Sequence, residues 1–565
     1  MILKMPQPSL KRAMLALALC CTLLACRQSP QYEFDLIIAG GKLVDGSGSL
    51  WFPGDLAIHG EEIVYMGELK DREQKGRQVI DARGLWVAPG FIDSHSRSEP
   101  EHMFHPDSLG KVRQGVTTEI LGGGHPSRFF QAGAGPEPEL REVSADRPPW
   151  GEAFHRLRQG EFPLNVAAYV QVGDVVRSVL GHDRREPTQP EVAAMKQTVG
   201  QAMLEGALGL ANSVRLSPAG ILSGEQLAEL AREVTPHGGI YSAGIDSRAG
   251  IDNSIKEAME FAEQAQIPLD IPGLRLSGHP GRGQLQEVFD SIEKGRESGL
   301  ALTASLSPYR SARANLENFL PPWATEGGRE KLLERLSRSD LRARILRELR
   351  RKRPGQFNAF LAAGGWEGVV LLEANSRKFQ ALTGKSIQAI ATELGQEPGD
   401  TLVDILRETE GLVAVLYSLM SEEDLRSVLQ APWVSIGSGG ATAGIDPSGG
   451  EVTRPHGYGA FARVLGKYVR KEGVLDLEEA IHKMTGMNAA KLKLRNRGFL
   501  QVGMKADITI FDAERVAGPA TFQEPHRFAE GIEYVIVNGT LVVEAGRPLD
   551  ARPGKFLDGP GKADP

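Results

Sequence analysis

The sequence predicts an α/β protein, with a TIM-like (β/α)8 barrel and a small β-sandwich domain built from both chain ends. The middle of the 565-residue chain alternates short apolar, strand-like runs with helical patterns, as a parallel sheet requires. Both ends are instead rich in β-branched residues bounded by glycine-containing turns. The length is too great for one small domain but suits a barrel with additions.

The two chain ends carry the strand patterns of the predicted β domain. Residues 27–86 contain DLIIAGGKLVDGSG, DLAIHGEEIVYMGEL and the start of QVIDARGLWVAPG, and residues 496–565 contain GMKADITIFDAE and EYVIVNGTLVVEAG. Asn538 and Gly539 form an Asn-Gly pair, which is typical of a tight hairpin turn. We expect both ends to assemble into one domain; the alternative is two independent end pieces.

Residues 87–495 carry the predicted barrel. Strand candidates begin at Gly90, Gly115, Asn165, Ala207, Gly239, Ile267, Leu300, Gly368, Leu412 and Trp433. A closed barrel of this type has eight strands. We therefore assign the run at Gly368, and the run at Leu412 as a further candidate, to an accessory region that includes an insertion at about 309–366.

Local signals mark several helices around these strands. Ser223 with Gln226, and Ser421 with Asp424, have capping-box spacing. The insertion carries an apolar stripe at helical spacing, which we interpret as packing rather than as a partner site. The stripe consists of Leu332, Leu333, Leu336, Ile345, Leu346 and Leu349.

Residues 1–26 resemble a bacterial lipoprotein signal peptide. Basic residues precede the apolar run 13–25, which is too short to span a bilayer as a helix. The run ends in Leu-Leu-Ala-Cys, a lipobox-like pattern that makes Cys26 the predicted lipidation site. The alternatives are ordinary signal cleavage nearby and an uncleaved anchor. We expect an exported protein that is lipid-anchored to a bacterial membrane and faces the periplasm or the exterior.

Composition excludes several function classes. The three cysteines, Cys20, Cys21 and Cys26, all lie in the signal segment, so a chain cut before Cys26 has neither a cysteine nucleophile nor cysteine metal ligands. Removing three basic residues and no acids takes the net charge from −7 to −10, which argues against a nucleic-acid partner. The basic run 350–353 is interpreted as a solvated helix end, with a lipid-headgroup contact as the alternative.

Several segments in order resemble the N-acyl-D-amino-acid deacylase (D-aminoacylase) family of the amidohydrolase superfamily. They include VAPGFID, QGVTTEI, EGALGL, HGGIY, RVLGKYVR, EEAIHKMTGMNAAKL and GMKADITIFD, and they cover nearly the whole mature chain. The resemblance implies a barrel of the amidohydrolase type. It also implies one or two zinc ions at the carboxyl ends of the strands, which activate water and polarise the scissile amide.

The ligand positions implied by this resemblance are mostly occupied by residues that cannot bind zinc. The first strand of the family ends D-x-H-x-H, and the matching residues in the segment from Val87 to Glu99 are Asp93, His95 and Arg97. A guanidinium has no lone pair to donate. The other ligand positions fall on Gly124, Gly244 and Gly273, and the catalytic aspartate falls on Gly439. His95 is the one ligand retained, and the catalytic residue is unknown.

Nearby polar residues leave an alternative site open. His125, Asp246 and His279 lie close in sequence to the glycines at ligand positions, so a relocated metal site is the alternative to its loss. Arg97 and Glu99 are candidates for an ion pair across the former site.

The resemblance also implies a substrate-binding set. Arg275 stands at a family lysine position, and Tyr309 matches a family tyrosine. A His-Pro-Arg sequence of the family is reversed here, with Arg454 in the place of its histidine and His456 in the place of its arginine. With Arg310, these arginines could clamp a carboxylate by bidentate hydrogen bonds. The alternative is that they are solvated loop residues.

These observations favour an exported pseudo-hydrolase that keeps a carboxylate-binding barrel mouth and needs no cofactor. Its expected partners are a small anionic ligand, such as an N-acyl amino acid, and the membrane that holds the lipid anchor. The alternative is an active hydrolase of N-acyl-D-amino acids or related amides that uses zinc at a relocated or reduced site. A metal-free reaction would need a base, for which His95 and His456 are the candidates.

Overall fold

The structure is a computed structural model, and it describes residues 32–98, 109–123, 149–181, 183, 185–212, 221–245, 251–274, 283–351, 358–441 and 454–562. The strands are β1 (Phe34–Leu43), β2 (Phe52–His59), β3 (Glu62–Gly67), β4 (Gly76–Asp81), β5 (Trp86–Pro89), β6 (Phe91–Asp93), β7 (Val116–Leu121), β8 (Asn165–Ala168), β9 (Val170–Gln171), β10 (Gly209–Asn212), β11 (Ile240–Ala243), β12 (Leu269–Ile271), β13 (Leu302–Leu306), β14 (Ser311–Asn315), β15 (Val369–Ala374), β16 (Val413–Ser418), β17 (Val434–Ile436), β18 (Ile508–Phe511), β19 (Ile532–Val537), β20 (Thr540–Glu544) and β21 (Arg547–Pro548).

Helices alternate with most of the central strands. The longer ones are α1 (Pro149–Gln159), α2 (Val172–Leu180), α3 (Gln189–Leu204), α4 (Gly224–Arg232), α5 (Ile251–Ala265), α6 (Gly283–Glu297), α7 (Arg329–Ser337), α8 (Ser339–Leu349), α9 (Ile387–Leu394), α10 (Pro398–Glu408), α11 (Glu422–Gln430), α12 (His456–Arg463), α13 (Leu477–Met484) and α14 (Gly486–Leu492). Single helical turns lie at Arg72–Lys75, Pro322–Thr325, Ala359–Ala362, Gly365–Gly368 and Arg377–Gln380, short 3-10 segments at Val112–Gln114, Thr235–His237 and Leu316–Phe319, and a π-helical segment at Val464–Lys471. Both predicted capping boxes are confirmed, at the starts of α4 and α11.

The two chain ends form one β domain, as predicted. Nine strands are joined in the order β21-β20-β19-β18-β5-β1-β2-β3, with β4 also paired to β1. The sheet forks at β1, because β4 and β5 pair with successive parts of it. Apolar side chains from both branches share one core, which gives the domain its sandwich character. Asn538 and Gly539, at φ 47° and 77°, form the turn between β19 and β20.

The boundary between the β domain and the barrel lies later than the sequence predicts. Residues Trp86–Pro89 form β5, which pairs with β1 and with β18 in the β domain. The first barrel strand, β6, begins at Phe91. Gly90 alone separates the two strands, and a β-carbon there would lie 2.1 Å from Thr117 Oγ1. A residue without a side chain is therefore needed where the chain leaves one sheet for the other.

The described strands of the central region form the predicted parallel barrel. Strands β8 and β9 are consecutive parts of one barrel strand. Parallel pairing runs in the order β6, β7, β8/β9, β10, β11, β12, β13 and β17. At the seam between β17 and β6, Ser438 N donates to Asp93 Oδ1 at 2.8 Å and Gly439 N donates to His95 O at 2.8 Å. Asn488 Nδ2 also donates to carbonyl oxygens of Ile92 and Ile436.

The two strand candidates assigned to the accessory region lie outside the barrel. They are β15 and β16, which form an antiparallel sheet with β14 in the order β14-β16-β15. The stripe of α7 and α8 packs into a separate apolar core with these strands. Leu332, Leu336, Ile345 and Leu349 are buried there, which confirms the packing interpretation.

The barrel has distinct inner and outer faces, because strand side chains alternate. Phe91, Leu121 and Val170 belong to the core between the barrel and its helices. Ile92 and Ile120 belong instead to an inner cluster with Ala167, Tyr169 and Ala211, which also includes Ala489 and Leu492 of α14. Helix α14 therefore packs into one end of the barrel. Within the described residues, no helix is both long and apolar enough to cross a bilayer.

Candidate functional site at the barrel mouth

Two ligand positions and the catalytic aspartate position that were inferred from the sequence meet in space. His95 follows β6 and is buried, and its ring lies directly against Gly273, which follows β12. A β-carbon at position 273 would lie 2.4 Å from His95 Cε1, and the backbone there has φ +64°. Gly439 donates its backbone N–H to the His95 carbonyl at 2.8 Å. These contacts bring positions 95, 273 and 439 together at the carboxyl ends of their strands.

Arg97 and Gly244 also lie at the carboxyl ends of barrel strands. The Arg97 backbone N–H donates to Gly440 O at 3.2 Å, and its side chain is half-buried. Gly244 follows β11, and its backbone N–H donates to Asn212 O at 2.8 Å. Several predicted site residues lie outside the described residues. These are Glu99, Gly124, His125, Asp246, Arg275 and His279, together with the predicted lipidation site Cys26.

The donor set at the described positions does not fit zinc. A protein zinc site normally needs three or four lone-pair donors from His, Cys, Asp or Glu at about 2.0–2.3 Å. At positions 95, 97, 244, 273 and 439, the side chains supply one imidazole, one guanidinium and nothing from three glycines. In the part of the chain that the structure describes, no group of three or more such side chains could hold a metal ion.

A buried charge cluster that the sequence reasoning missed lies behind the mouth. Lys111 Nζ forms an ion pair with Asp93 and another, at 3.0 Å, with Glu119. It also donates to Ser438 Oγ at 2.8 Å and to Gly440 O at 3.0 Å. Since Ile92 and Ile120 face inward, the adjacent Asp93 and Glu119 face outward. The cluster therefore holds the ends of β6, β7 and β17 together from outside the barrel.

Electrostatics keep the Lys111 cluster charged. Burial alone would lower the pKa of Lys111, but the Asp93 and Glu119 carboxylates outweigh it, so the pKa lies above its usual value. Ser96 and Ser98 both donate to Glu119, the second at 2.6 Å. One signal could have revealed this cluster, because an acid in a fully buried strand such as β7 requires a partner.

Tyr309 and His456 lie together beside the mouth. Their ring centroids are 4.4 Å apart, and a β-carbon at Gly440 would lie 2.4 Å from His456 Cβ. The Tyr309 hydroxyl is within hydrogen-bonding distance of the carbonyl oxygens of Pro455 and Ala520, at 3.3 and 3.4 Å. Burial raises the pKa of Tyr309 well above its usual value. Its hydroxyl is thus protonated and engaged by the backbone.

The arginines predicted to clamp a carboxylate are not gathered at one point. The Arg310 side chain is 57% exposed and its Nε lies 4.0 Å from Glu422, at the start of α11 in the outer helix layer. Arg454 is half-buried and precedes His456 by two residues. The Arg310 guanidinium therefore turns toward the outer helices, whereas Arg454 is linked to His456 through Pro455.

The parallel barrel, the β domain from both chain ends and the convergence of positions 95, 273 and 439 define an amidohydrolase-type architecture. The amidohydrolase family model matches residues 425–543. The D-aminoacylase of Alcaligenes xylosoxydans xylosoxydans is 30% identical over 520 residues, which cover 91% of this chain and 96% of that protein. This chain therefore belongs to the D-aminoacylase family of amidohydrolases, as the sequence predicted.

Other relatives agree with this assignment. The N-acyl-D-aspartate deacylase of the same organism is 29% identical over 543 residues, which cover 94% of this chain and 96% of that protein. A solved structure of a D-aminoacylase with a binuclear metal centre matches with a TM-score of 0.70 at 27% identity. That match covers 93% of this chain and 100% of the other.

Proposed function

We propose that this protein is an exported pseudo-hydrolase that binds N-acyl amino acids or related small carboxylates without zinc-dependent hydrolysis. The observation that carries the proposal is the position of His95. Its ring packs against Gly273 and fills the space that a side chain at that ligand position would need. A lone imidazole does not hold zinc, because a working site needs several donors at fixed distances.

The proposal follows from what a metal contributes to amide hydrolysis. The ion generates the nucleophile by lowering the pKa of bound water, and it stabilises the charge that develops on the carbonyl oxygen. Among the described residues near the mouth, the Lys111 charges are already paired and face the outer layer. They therefore offer no replacement for either contribution.

Ligand binding is the part of the family's function that the residues still support. Relatives are a D-aminoacylase and an N-acyl-D-aspartate deacylase, whose names point to N-acylated amino acids. Arg454 and His456 border the mouth, and an arginine can hold a carboxylate through two parallel hydrogen bonds. We assign the ligand's carboxylate to this side of the mouth.

The test combines three measurements on the purified protein. Elemental analysis measures bound metal. Turnover is assayed with a panel of N-acyl-D-amino acids, and calorimetry measures the binding of the same panel. We expect substoichiometric zinc, no turnover above background and saturable binding. Stoichiometric zinc with turnover that a chelator abolishes would refute the pseudo-hydrolase proposal.

The second candidate function is active deacylation at a relocated or reduced zinc site. It is favoured by the alignment, which spans 96% of the length of a relative named D-aminoacylase. Its ligands would come from His95 together with His125, Asp246 or His279. Loss of zinc in variants His125→Ala and His279→Ala, with zinc retained in the exposed-surface variant His59→Ala, would establish this candidate in place of the first.

We further propose that Cys26 is the lipidated first residue of the mature chain. The lipobox-like Leu-Leu-Ala-Cys sequence supports this proposal. Incorporation of labelled palmitate into the wild-type chain, and its absence from Cys26→Ala, would be the expected result. Equal labelling of both, or of neither, would contradict it.

A further inference from the structure

The interior of the barrel contains a polar layer that the proposed function does not use. Ser242 pairs in register with Asp270, and Asp270 with Thr303. The chain neighbours of each face the outer core, so these three side chains point into the barrel. The interior of a TIM barrel is usually filled with bulky branched residues. Small and polar residues in adjacent strands therefore make this layer unusual.

An ion pair joins this polar layer to α14. Lys491 Nζ lies 3.0 Å from Asp270 Oδ1 and 2.9 Å from Ser435 Oγ, and both charged side chains are almost fully buried. Thr303 Oγ1 also donates to Asp270 at 2.8 Å. The layer thus presents one balanced pair of charges and carries no net charge of its own.

Two buried hydroxyl groups, one in this layer and one in the inner apolar cluster, have no hydrogen-bond partner in the described structure. They are Tyr169 Oη and Ser242 Oγ, and both residues are at most 1% exposed. Tyr169 belongs to the inner cluster, and the Asp270 carboxylate is close enough to affect its titration. Burial, together with that carboxylate, raises the pKa of Tyr169 well above its usual value, so the phenol stays protonated and can donate. Leaving buried donors unsatisfied is unfavourable, so both call for a partner.

We propose that Tyr169, Ser242 and Asp270 form a binding site for an uncharged carboxamide group inside the barrel. The two hydroxyl groups would donate to the amide oxygen, and the Asp270 carboxylate would accept from the amide N–H. A carboxylate fits less well, because it offers no N–H donor to Asp270. If the proposed function holds, this group is the amide of the N-acyl amino acid, and this part of the inference rests on that proposal.

Acetamide and acetate are matched probes, since they have nearly the same shape and differ in charge and in donor capacity. Dissociation constants for both would be measured by ligand-observed NMR titration of the full protein. We expect acetamide to bind more tightly than acetate. Tyr169→Phe should weaken acetamide binding roughly five- to tenfold, the usual effect of one hydrogen bond, and Ser242→Ala should act in the same direction.

Tyr241→Phe is the matched control. Tyr241 is also buried, but it belongs to the outer core and interacts with Asn212. Its substitution should leave acetamide affinity within twofold. Equal binding of the two probes, no saturable acetamide binding, or an equal effect of both tyrosine substitutions would overturn the proposed site.

The same variants separate this site from the proposed function. Binding of N-acyl amino acids that is insensitive to Tyr169→Phe would keep the proposed function and overturn the amide assignment. Acetamide binding that depends on Tyr169, without any binding of N-acyl amino acids, would keep the carboxamide site and overturn the proposed function.

Discussion

Gly273→Ala tests whether the His95 ring fills the space at position 273, which the sequence predicts to be a ligand position. The added β-carbon would lie 2.4 Å from His95 Cε1 and 2.9 Å from Nδ1, both too close for unbonded atoms. The backbone at this position has φ +64°, which alanine adopts poorly. The substitution should therefore destabilise the protein through two separable effects.

Their magnitudes follow from the geometry. The left-handed backbone costs about 1–2 kcal/mol for a residue with a β-carbon. Overpacking against a buried ring costs about 1–3 kcal/mol more. We expect a total loss of about 2–5 kcal/mol in the free energy of unfolding.

Urea denaturation of matched variants separates the two effects. Gly473 has φ +60° and nothing within 4 Å of an added β-carbon, so Gly473→Ala should show the backbone effect alone. In a His95→Ala background, Gly273→Ala should lose its overpacking effect and cost no more than Gly473→Ala. A coupling energy near zero between positions 95 and 273 would refute the packed arrangement of His95.

Three further predictions concern stability and binding. Lys111→Met leaves two buried carboxylates without their cation and should destabilise the protein by about 3–5 kcal/mol in urea denaturation. Lys331→Met, at an exposed ion pair, is the control and should cost under about 1 kcal/mol. Similar losses in the two variants would contradict the buried cluster. Ser223→Ala removes the cap of α4 and should cost about 1 kcal/mol in the same assay, and an unchanged midpoint would argue against the cap. Arg454→Ala should weaken the affinity for an N-acyl amino acid, measured by calorimetry, about tenfold or more. Arg310→Ala should leave the affinity within twofold, because Arg310 turns toward Glu422. A larger loss of affinity in Arg310→Ala than in Arg454→Ala would contradict the assigned carboxylate position.

The parts of the fold that sequence predicts well depend on local chemistry. The capping boxes at Ser223 and Ser421, and the turn at Asn538, are each specified by residues within three positions of one another. Strand and helix alternation is likewise local, so the barrel could be predicted. The pairing of β5 with β18, which joins the chain ends, is not local, and it was expected only because both ends carry strand patterns. The exact boundary could not, because β5 and β6 read as one apolar run interrupted by a single glycine.

The site was less predictable because its contacts join distant parts of the chain. Lys111 reaches Ser438 and Gly440, more than 300 residues away, and nothing near Lys111 in sequence indicates this. The direction of the Arg310 side chain depends on Glu422, which lies on a different element. The predicted ligand positions could be located only through the family resemblance. The polar layer could not be predicted, because it depends on the register between neighbouring strands.

The backbone at two glycine positions bears on the proposed loss of the metal site. Gly273 and Gly439 have φ +64° and +66°, in the left-handed region. Aspartate tolerates this region better than most residues, so an aspartate at 439 is compatible with the present backbone. Histidine at 273 is not, because its β-carbon would also meet the His95 ring. A zinc site at these positions therefore requires His95 and the backbone after β12 to move, beyond the exchange of side chains.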